Sequence, residues 1–143
     1  MRLTLHTDYS LRVLIHLAAS DNPRTSISEI AEAFGISRNH LMKVVHELGR
    51  GGFITTTRGR GGGFSLARPP EEISVGEVVR FSERDLTLAD CANCVIRSAC
   101  GLVSVLCVAM DAFLAVLDRH SIADAAADKQ RLRRILAPRP ARA

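Results

Sequence analysis

Ser-Ile-Ser-Glu-Ile-Ala-Glu-Ala-Phe-Gly-Ile-Ser-Arg-Asn-His-Leu-Met-Lys-Val-Val-His-Glu-Leu-Gly-Arg, residues 26–50, reads as two helices joined by a tight turn. Ser26 and Glu29 have the spacing of a capping box, in which each side chain satisfies a free backbone N–H of the other. They open a short helix over residues 27–34. Gly35 ends it, since glycine alone takes the left-handed backbone at no steric cost. Ile36 packs the turn. Ser37 then caps a second helix over residues 38–50, whose Leu41, Val44, Val45 and Leu48 recur at three- and four-residue spacing on one face. A short helix, a glycine turn and a serine-capped helix together form a helix-turn-helix.

The flanks extend that unit. Downstream, Gly51-Gly52 breaks the helix and Phe53-Ile54-Thr55-Thr56-Thr57 is β-branched and strand-like. Arg58-Gly59-Arg60-Gly61-Gly62-Gly63 is a basic tip, and Phe64-Ser65-Leu66 returns as a second strand. This is a hairpin beside a helix-turn-helix: a wing. Upstream, residues 5–19 read as a helix carrying Tyr9, Leu11, Val13, Leu14, Leu17 and Ala18, with Thr7 as its cap and Asp8 in the first turn. Asp21-Asn22-Pro23 is a turn. Beyond the wing, Ser74 and Glu77 repeat the capping-box spacing and open a helix to about Phe81. Residues 84–99 show no period and read as a loop. Residues 102–117 are strongly helical and apolar over a wide face, which a domain that already has a core would bury against a second subunit. Ser121 to Asp124 starts a terminal helix.

The expected fold is therefore mainly α with a small β-hairpin: a winged helix-turn-helix plus a long C-terminal dimerisation helix. Residues 1–70 form the winged unit, 71–100 a connecting helix and a cysteine loop, 101–128 the dimerisation helix and terminal segment, and 129–143 a basic flexible tail.

Composition agrees. Of 143 residues, 47% are hydrophobic but only 4% aromatic, with no Trp, so the core must be built from Leu, Val, Ile and Ala. No apolar run is long enough to span a bilayer, and the N-terminus lacks the apolar stretch of a signal peptide. The expectation is a cytoplasmic protein with reduced thiols, and no membrane partner. The net charge of +4 is unevenly spread. Residues 1–68 carry nine Lys/Arg against five Asp/Glu, residues 69–128 four against ten, and residues 129–143 six against none. A basic front section suits phosphate contact and the acidic middle does not.

Two sets of residues carry chemistry. Ser37, Arg38, Asn39, His40 and Lys43 stand in the first two turns of the second helix of the motif, off its apolar stripe, where such side chains read base edges or bind phosphate in double-stranded DNA. Arg58 and Arg60, separated by glycines, suit a minor groove or the phosphate backbone. The second set is Cys91, Cys94 and Cys100, spaced C-x2-C-x5-C. Three thiols so close can hold a soft metal: an iron–sulfur cluster with a fourth donor, or a structural zinc, although no His lies between residues 47 and 119. A Cys91–Cys94 disulfide is a third option. Cys107 falls on the apolar helix and reads as a core thiol. No nucleophile–base constellation, paired-carboxylate site or phosphate-cradling loop is present in the sequence, so no enzyme class finds support.

Thr-Asp-Tyr-Ser-Leu-Arg (7–12), Ser-Arg-Asn-His-Leu-Met-Lys-Val-Val (37–45), Arg-Gly-Arg-Gly-Gly-Gly (58–63) and Ile-Ser-Val-Gly-Glu-Val-Val-Arg (73–80) resemble the winged-helix iron–sulfur transcription regulators of the NsrR/IscR/RirA type. The resemblance runs from residue 1 to about 125 and is closest to the nitric-oxide-sensing members. It implies a homodimeric repressor on a near-palindromic operator, with nitric oxide as the signal and DNA released when the cluster is nitrosylated. It also implies an iron–sulfur cluster, 4Fe–4S ahead of 2Fe–2S, on Cys91, Cys94 and Cys100. Asp8 of the partner subunit would be the fourth ligand, with Cys107 as runner-up. The two-residue gap between Cys91 and Cys94 is tighter than in such relatives. The alternatives are a sensor of iron or cluster supply and, from another class, a non-sensory zinc or redox protein.

Overall fold

A computed structural model describes residues 2–137. Its order is α1 (Leu5–Ala19), α2 (Ile27–Phe34), α3 (Arg38–Arg50), β1 (Ile54–Thr57), β2 (Gly63–Leu66), a 3-10 turn (Pro70–Glu72), α4 (Val75–Ser82), α5 (Leu102–Asp118), α6 (Ile122–Ala125) and α7 (Lys129–Leu136). This is the winged helix-turn-helix followed by a long helix.

The helix-turn-helix forms as its sequence dictates. Ser26 N donates to Glu29 Oε2 at 2.6 Å and Glu29 N donates to Ser26 Oγ at 3.3 Å, completing the capping box. Gly35 ends α2 at φ 65°, a left-handed backbone that a side chain would strain. β1 and β2 pair antiparallel, Ile54 opposite Leu66 and Thr57 opposite Gly63. The link between α1 and α2 joins the other edge of β2, with Thr25 and Phe64 exchanging backbone hydrogen bonds of 3.0 and 2.9 Å. A side chain at Gly63 would come within 2.7 Å of the Thr25 carbonyl oxygen, so glycine is what lets this third segment approach.

The core does not stop at residue 70. Val13, Leu14, Ile30, Leu41, Leu48 and Phe53 are buried together with Ile73, Val78, Ile122 and Ala126. A backbone clasp holds the late segment in place: Val75 N donates to His120 O and Ile122 N to Ile73 O, both at 2.8 Å. The C-terminal elements α4 and α6 thus complete the winged unit's core. On α4, Arg80 grips Asp118 of α5 with two hydrogen bonds, of 2.5 and 2.7 Å. Gly76 sits so close to Asp118 that a Cβ would collide with its carboxylate.

Four local expectations are corrected. The cap of α1 is Thr4, not Thr7: the helix starts at Leu5 as expected, which puts Thr7 inside its first turn, where its N donates to Thr4 Oγ. Ser74 caps α4, but Glu77 does not reach back to complete a capping box; its carboxylate pairs with Arg68 instead. Cys107 is exposed rather than a core thiol, since it stands on the open side of α5. Finally, the basic flexible tail expected from residue 129 begins as α7. Asp128 accepts from Arg131 N at its start, and Arg133 docks it on α1, donating from Nε to Ala19 O at 2.6 Å and pairing with Asp21 at 2.5 Å. The rest of that tail lies outside the described residues.

Candidate functional site: a recognition face and a thiol loop

The outward surface of α3 begins at its cap. Ser37 Oγ accepts from His40 N at 3.3 Å, so this hydroxyl is engaged in holding the helix start. Arg38 leads the first turn and donates from Nη2 to Ser28 Oγ of α2 at 2.6 Å, which ties the two helices of the motif together. Four of its five N–H donors remain for an anion. His40 lies against Tyr9 of α1, ring centroids 6.1 Å apart. Asn39 and Lys43 are exposed, and neither makes a side-chain hydrogen bond among the described residues. Met42 and His46 share that exposure and were missed from sequence; their spacing from Asn39 and Lys43 was the available signal. Arg58 and Arg60 are exposed at the wing tip, where Gly62 N donates to Gly59 O and Arg24 of the α1–α2 link donates to Gly61 O at 3.4 Å.

The thiol loop follows α4. It is a string of turns: Cys94 N to Cys91 O at 3.5 Å, Arg97 N to Cys94 O at 3.1 Å, Ala99 N to Ile96 O at 3.0 Å. Asp90 secures its entry, accepting from the side chain and the backbone of Asn93. All four cysteines are free thiols, so the Cys91–Cys94 disulfide is not formed. Cys91 and Cys100 are half-buried and Cys94 is exposed. Cys91 and Cys107 line one cavity of about 580 Å³ between the loop and α5, together with Asp85, Asp90, Met110 and Asp111. Among the described residues no three His, Cys, Asp or Glu side chains are gathered closely enough to hold a metal ion. What fits a soft metal or cluster here is the donor set: three unpaired thiols in one turn-rich loop beside a cavity.

Asp8 is not among the residues lining that cavity. It lies on α1, where its carboxylate takes both Nε and Nη2 of Arg12, at 3.1 and 2.9 Å. α1 is nevertheless connected to both parts of the site. Glu83, at the root of the thiol loop, accepts from Thr4 N at 2.7 Å and Thr4 Oγ at 3.2 Å. Partial burial pushes the Glu83 carboxyl up, but hydrogen bonds from Thr7 and Thr4 outweigh this and hold it below the usual glutamate range. From the same end of α1, His6 Nε2 stands 3.1 Å from Glu47 Oε2 on α3, at ion-pair distance though not aligned as a hydrogen bond, and Tyr9 meets His40.

The model of the family described as "Rrf2: Iron-dependent Transcriptional regulator" matches residues 3–128. The chain belongs to the Rrf2 family. Within Rrf2 it is similar to the HTH-type transcriptional regulator NsrR of Bacillus subtilis (strain 168), 49% identical over 142 residues, covering 95% of this chain and 97% of that one. It is also similar to the NsrR of Bacillus licheniformis, 45% identical with 95% and 99% covered. Among solved structures, oxidised CymR of Staphylococcus aureus aligns with a TM-score of 0.71 and 30% identity over 88% of this chain and 96% of that one. IscR of T. potens aligns at 0.74 and 26% over 90% and 88%. The Rrf2 winged helix is thus matched across nearly the whole chain. No helix among the described residues is long and apolar enough to cross a membrane.

Proposed function

We propose that the protein is a homodimeric DNA-binding repressor that holds an iron–sulfur cluster and releases its operator in response to nitric oxide. One observation carries this reading: α1 touches the root of the thiol loop through Thr4–Glu83 and the recognition helix through His6–Glu47 and Tyr9–His40, and between those contacts it bears Asp8.

The DNA half of the mechanism belongs to α3 and the wing. Asn39 and Lys43 face a major groove, Arg38 clamps a phosphate while bracing α2, and Arg58 and Arg60 follow the neighbouring backbone or minor groove. Ser37 and His40 act through the helix start and its contact with α1. The dimer half belongs to α5. Leu102, Val105, Ala109, Ala112 and Val116 are exposed and spaced three, four, three and four residues apart. This is the seam along which a second helix interlocks, and Val105 alone leaves 61% of its surface open. Two copies joined there present two recognition helices to half-sites about one helical turn apart on a near-palindromic operator.

The thiolates of Cys91, Cys94 and Cys100 would hold the cluster. Asp8 of the other subunit completes the set, with Cys107 as the alternative donor from its place on the same cavity. The 4Fe–4S form is preferred to 2Fe–2S. Bound iron supplies an atom to which nitric oxide coordinates. The protein's part is a choice made by Asp8, between the partner subunit's site and Arg12 on its own helix. In the first arrangement α1 is tied across the dimer; in the second it is free to settle with its own α3. The two arrangements differ in how α1 meets the recognition helix through His6–Glu47 and Tyr9–His40, so ligation of Asp8 biases DNA affinity. Support comes from the NsrR names of the similar proteins and from the thiol loop's chemistry. The family's description as iron-dependent favours a second reading, in which iron or cluster supply is the signal acting on the same residues.

Asp8→Ala, compared with the parent under anaerobic conditions, is the test. It is expected to retain dimerisation but to bind the operator only as weakly as the nitric-oxide-treated parent, with no further response to nitric oxide. A variant whose cluster content and nitric-oxide response equal the parent's would contradict the coupling.

A further inference from the structure

Asn39, Met42, Lys43 and His46 form one stripe of α3 at i, i+3, i+4 and i+7, and all four are exposed. Three of them are polar. Met42 is not, and 56% of its surface is open. It is not a core residue displaced outward, because Leu41, Val44, Val45 and Leu48 already fill the inner face of the helix. It therefore stands in the surface that the reading above turns toward DNA, and the present inference rests on that reading.

The chemistry of the major groove limits what such a side chain can do there. Each base pair shows hydrogen-bonding groups along its edge: acceptors on guanine, a donor on cytosine, one of each on adenine. The exposed apolar group in that groove is the C5 methyl of thymine. A thioether chain seated against guanine, cytosine or adenine would strip water from donors and acceptors that it cannot satisfy, which is costly. Against thymine it covers a methyl group and leaves the neighbouring O4 open. Methionine is suited to this by its reach and by an unbranched chain that adapts to the contact. Its neighbours on the stripe supply the polar reading that it lacks: Asn39 one turn before it can pair with adenine, and Lys43 beside it with guanine or a phosphate.

We propose that Met42 is a specificity-determining residue that selects thymine in each half-site through its C5 methyl group. Removing one buried methyl contact corresponds to about a fourfold change in affinity.

The experiment uses the full chain, purified anaerobically, and a random duplex library. Preferred sites are selected with the parent, with Met42→Ala and with Met42→Gln. The parent's site is then rebuilt with uracil in place of thymine, one position at a time, which deletes only the methyl. The expected result is one thymine per half-site whose replacement weakens the parent about fourfold and leaves Met42→Ala unchanged, with thymine preference at that position lost in the Met42→Gln selection. Uracil effects that are equal in the parent and in Met42→Ala, or absent at every position, overturn the proposal while leaving DNA recognition intact. A library that yields no enriched site with the parent overturns the DNA-binding reading itself. Because Met42 is more than half exposed, little change in thermal unfolding is expected for either variant.

Discussion

The winged unit and the α5–thiol-loop region are built to opposite standards. In the first, Leu14, Leu41, Leu48, Ile73, Val78 and Ile122 are sealed from solvent and the helix starts are capped by Thr4, Ser26, Ser37, Ser74 and Ser121. In the second, α5 buries Leu114 but leaves a regular apolar stripe in the open, and Val95 of the loop is almost wholly exposed. A fold that closes its own core so completely does not leave an apolar stripe of a seventeen-residue helix uncovered by accident. One part is finished within one chain; the other leaves an apolar stripe and three thiols unpartnered among the described residues, for which we propose a second copy and a metal.

The sharpest way to break that division is at the cysteines. Cys100→Ser is expected to reduce iron and acid-labile sulfide to background while leaving thermal unfolding of the apo-protein unchanged. A variant that kept its iron would remove the loop from the site.

Core and seam substitutions should then separate by kind. Leu48→Ala empties a fully buried position and is expected to cost about 2–5 kcal/mol in urea unfolding. Val105→Asp should leave the unfolding of the monomer nearly unaltered but shift sedimentation from dimer to monomer, because it places like charges in the seam. If Leu48→Ala cost nothing, or Val105→Asp left the dimer intact, the two regions would not differ as described.

Gly76→Ala tests the junction between them. Its methyl must displace Asp118 from Arg80, and overpacking of this kind costs about 1–3 kcal/mol. An unchanged midpoint would show that α5 is not clasped to α4.

The smallest effect concerns pH. The Glu83 carboxyl is held below its usual range when folded, so its hydrogen bonds from Thr7 and Thr4 contribute stability above the unfolded value of about 4.3 and lose it as pH falls through the folded value. The stability difference between the parent and Glu83→Gln should be constant near neutrality and vanish in acid. A difference that grew on acidification would contradict the strap between the loop root and α1.

The sequence and the structure agree where local chemistry decides. Ser26, Glu29, Gly35 and Ser37 set the helix-turn-helix by caps and a left-handed residue, and Leu41, Val44 and Leu48 mark its inner face, all within 25 residues of chain. They part where contacts are distant. Nothing near residue 70 announces that Ile122 will pair with Ile73, nor that Arg133 will reach Ala19 and turn the start of a basic tail into a docked helix. The recognition face shows the same limit. Ser37 is legible as a polar candidate, yet its hydroxyl holds the helix start and His40 lies beside Tyr9, while the apolar Met42 stands exposed between Asn39 and Lys43. In the loop, the cysteines were legible as donors, but the Asp8–Arg12 pair was visible only as an ordinary i, i+4 spacing.

The most direct measurement is an anaerobic preparation of the full chain, assayed for iron, sulfide and zinc, then titrated with nitric oxide while operator binding and the visible absorption of the cluster are followed together. A nitric-oxide-sensing cluster protein should carry iron and sulfide without zinc and release DNA in step with the loss of that absorption. Zinc in place of iron, or a cluster that reacts with nitric oxide while DNA stays bound, would contradict that reading.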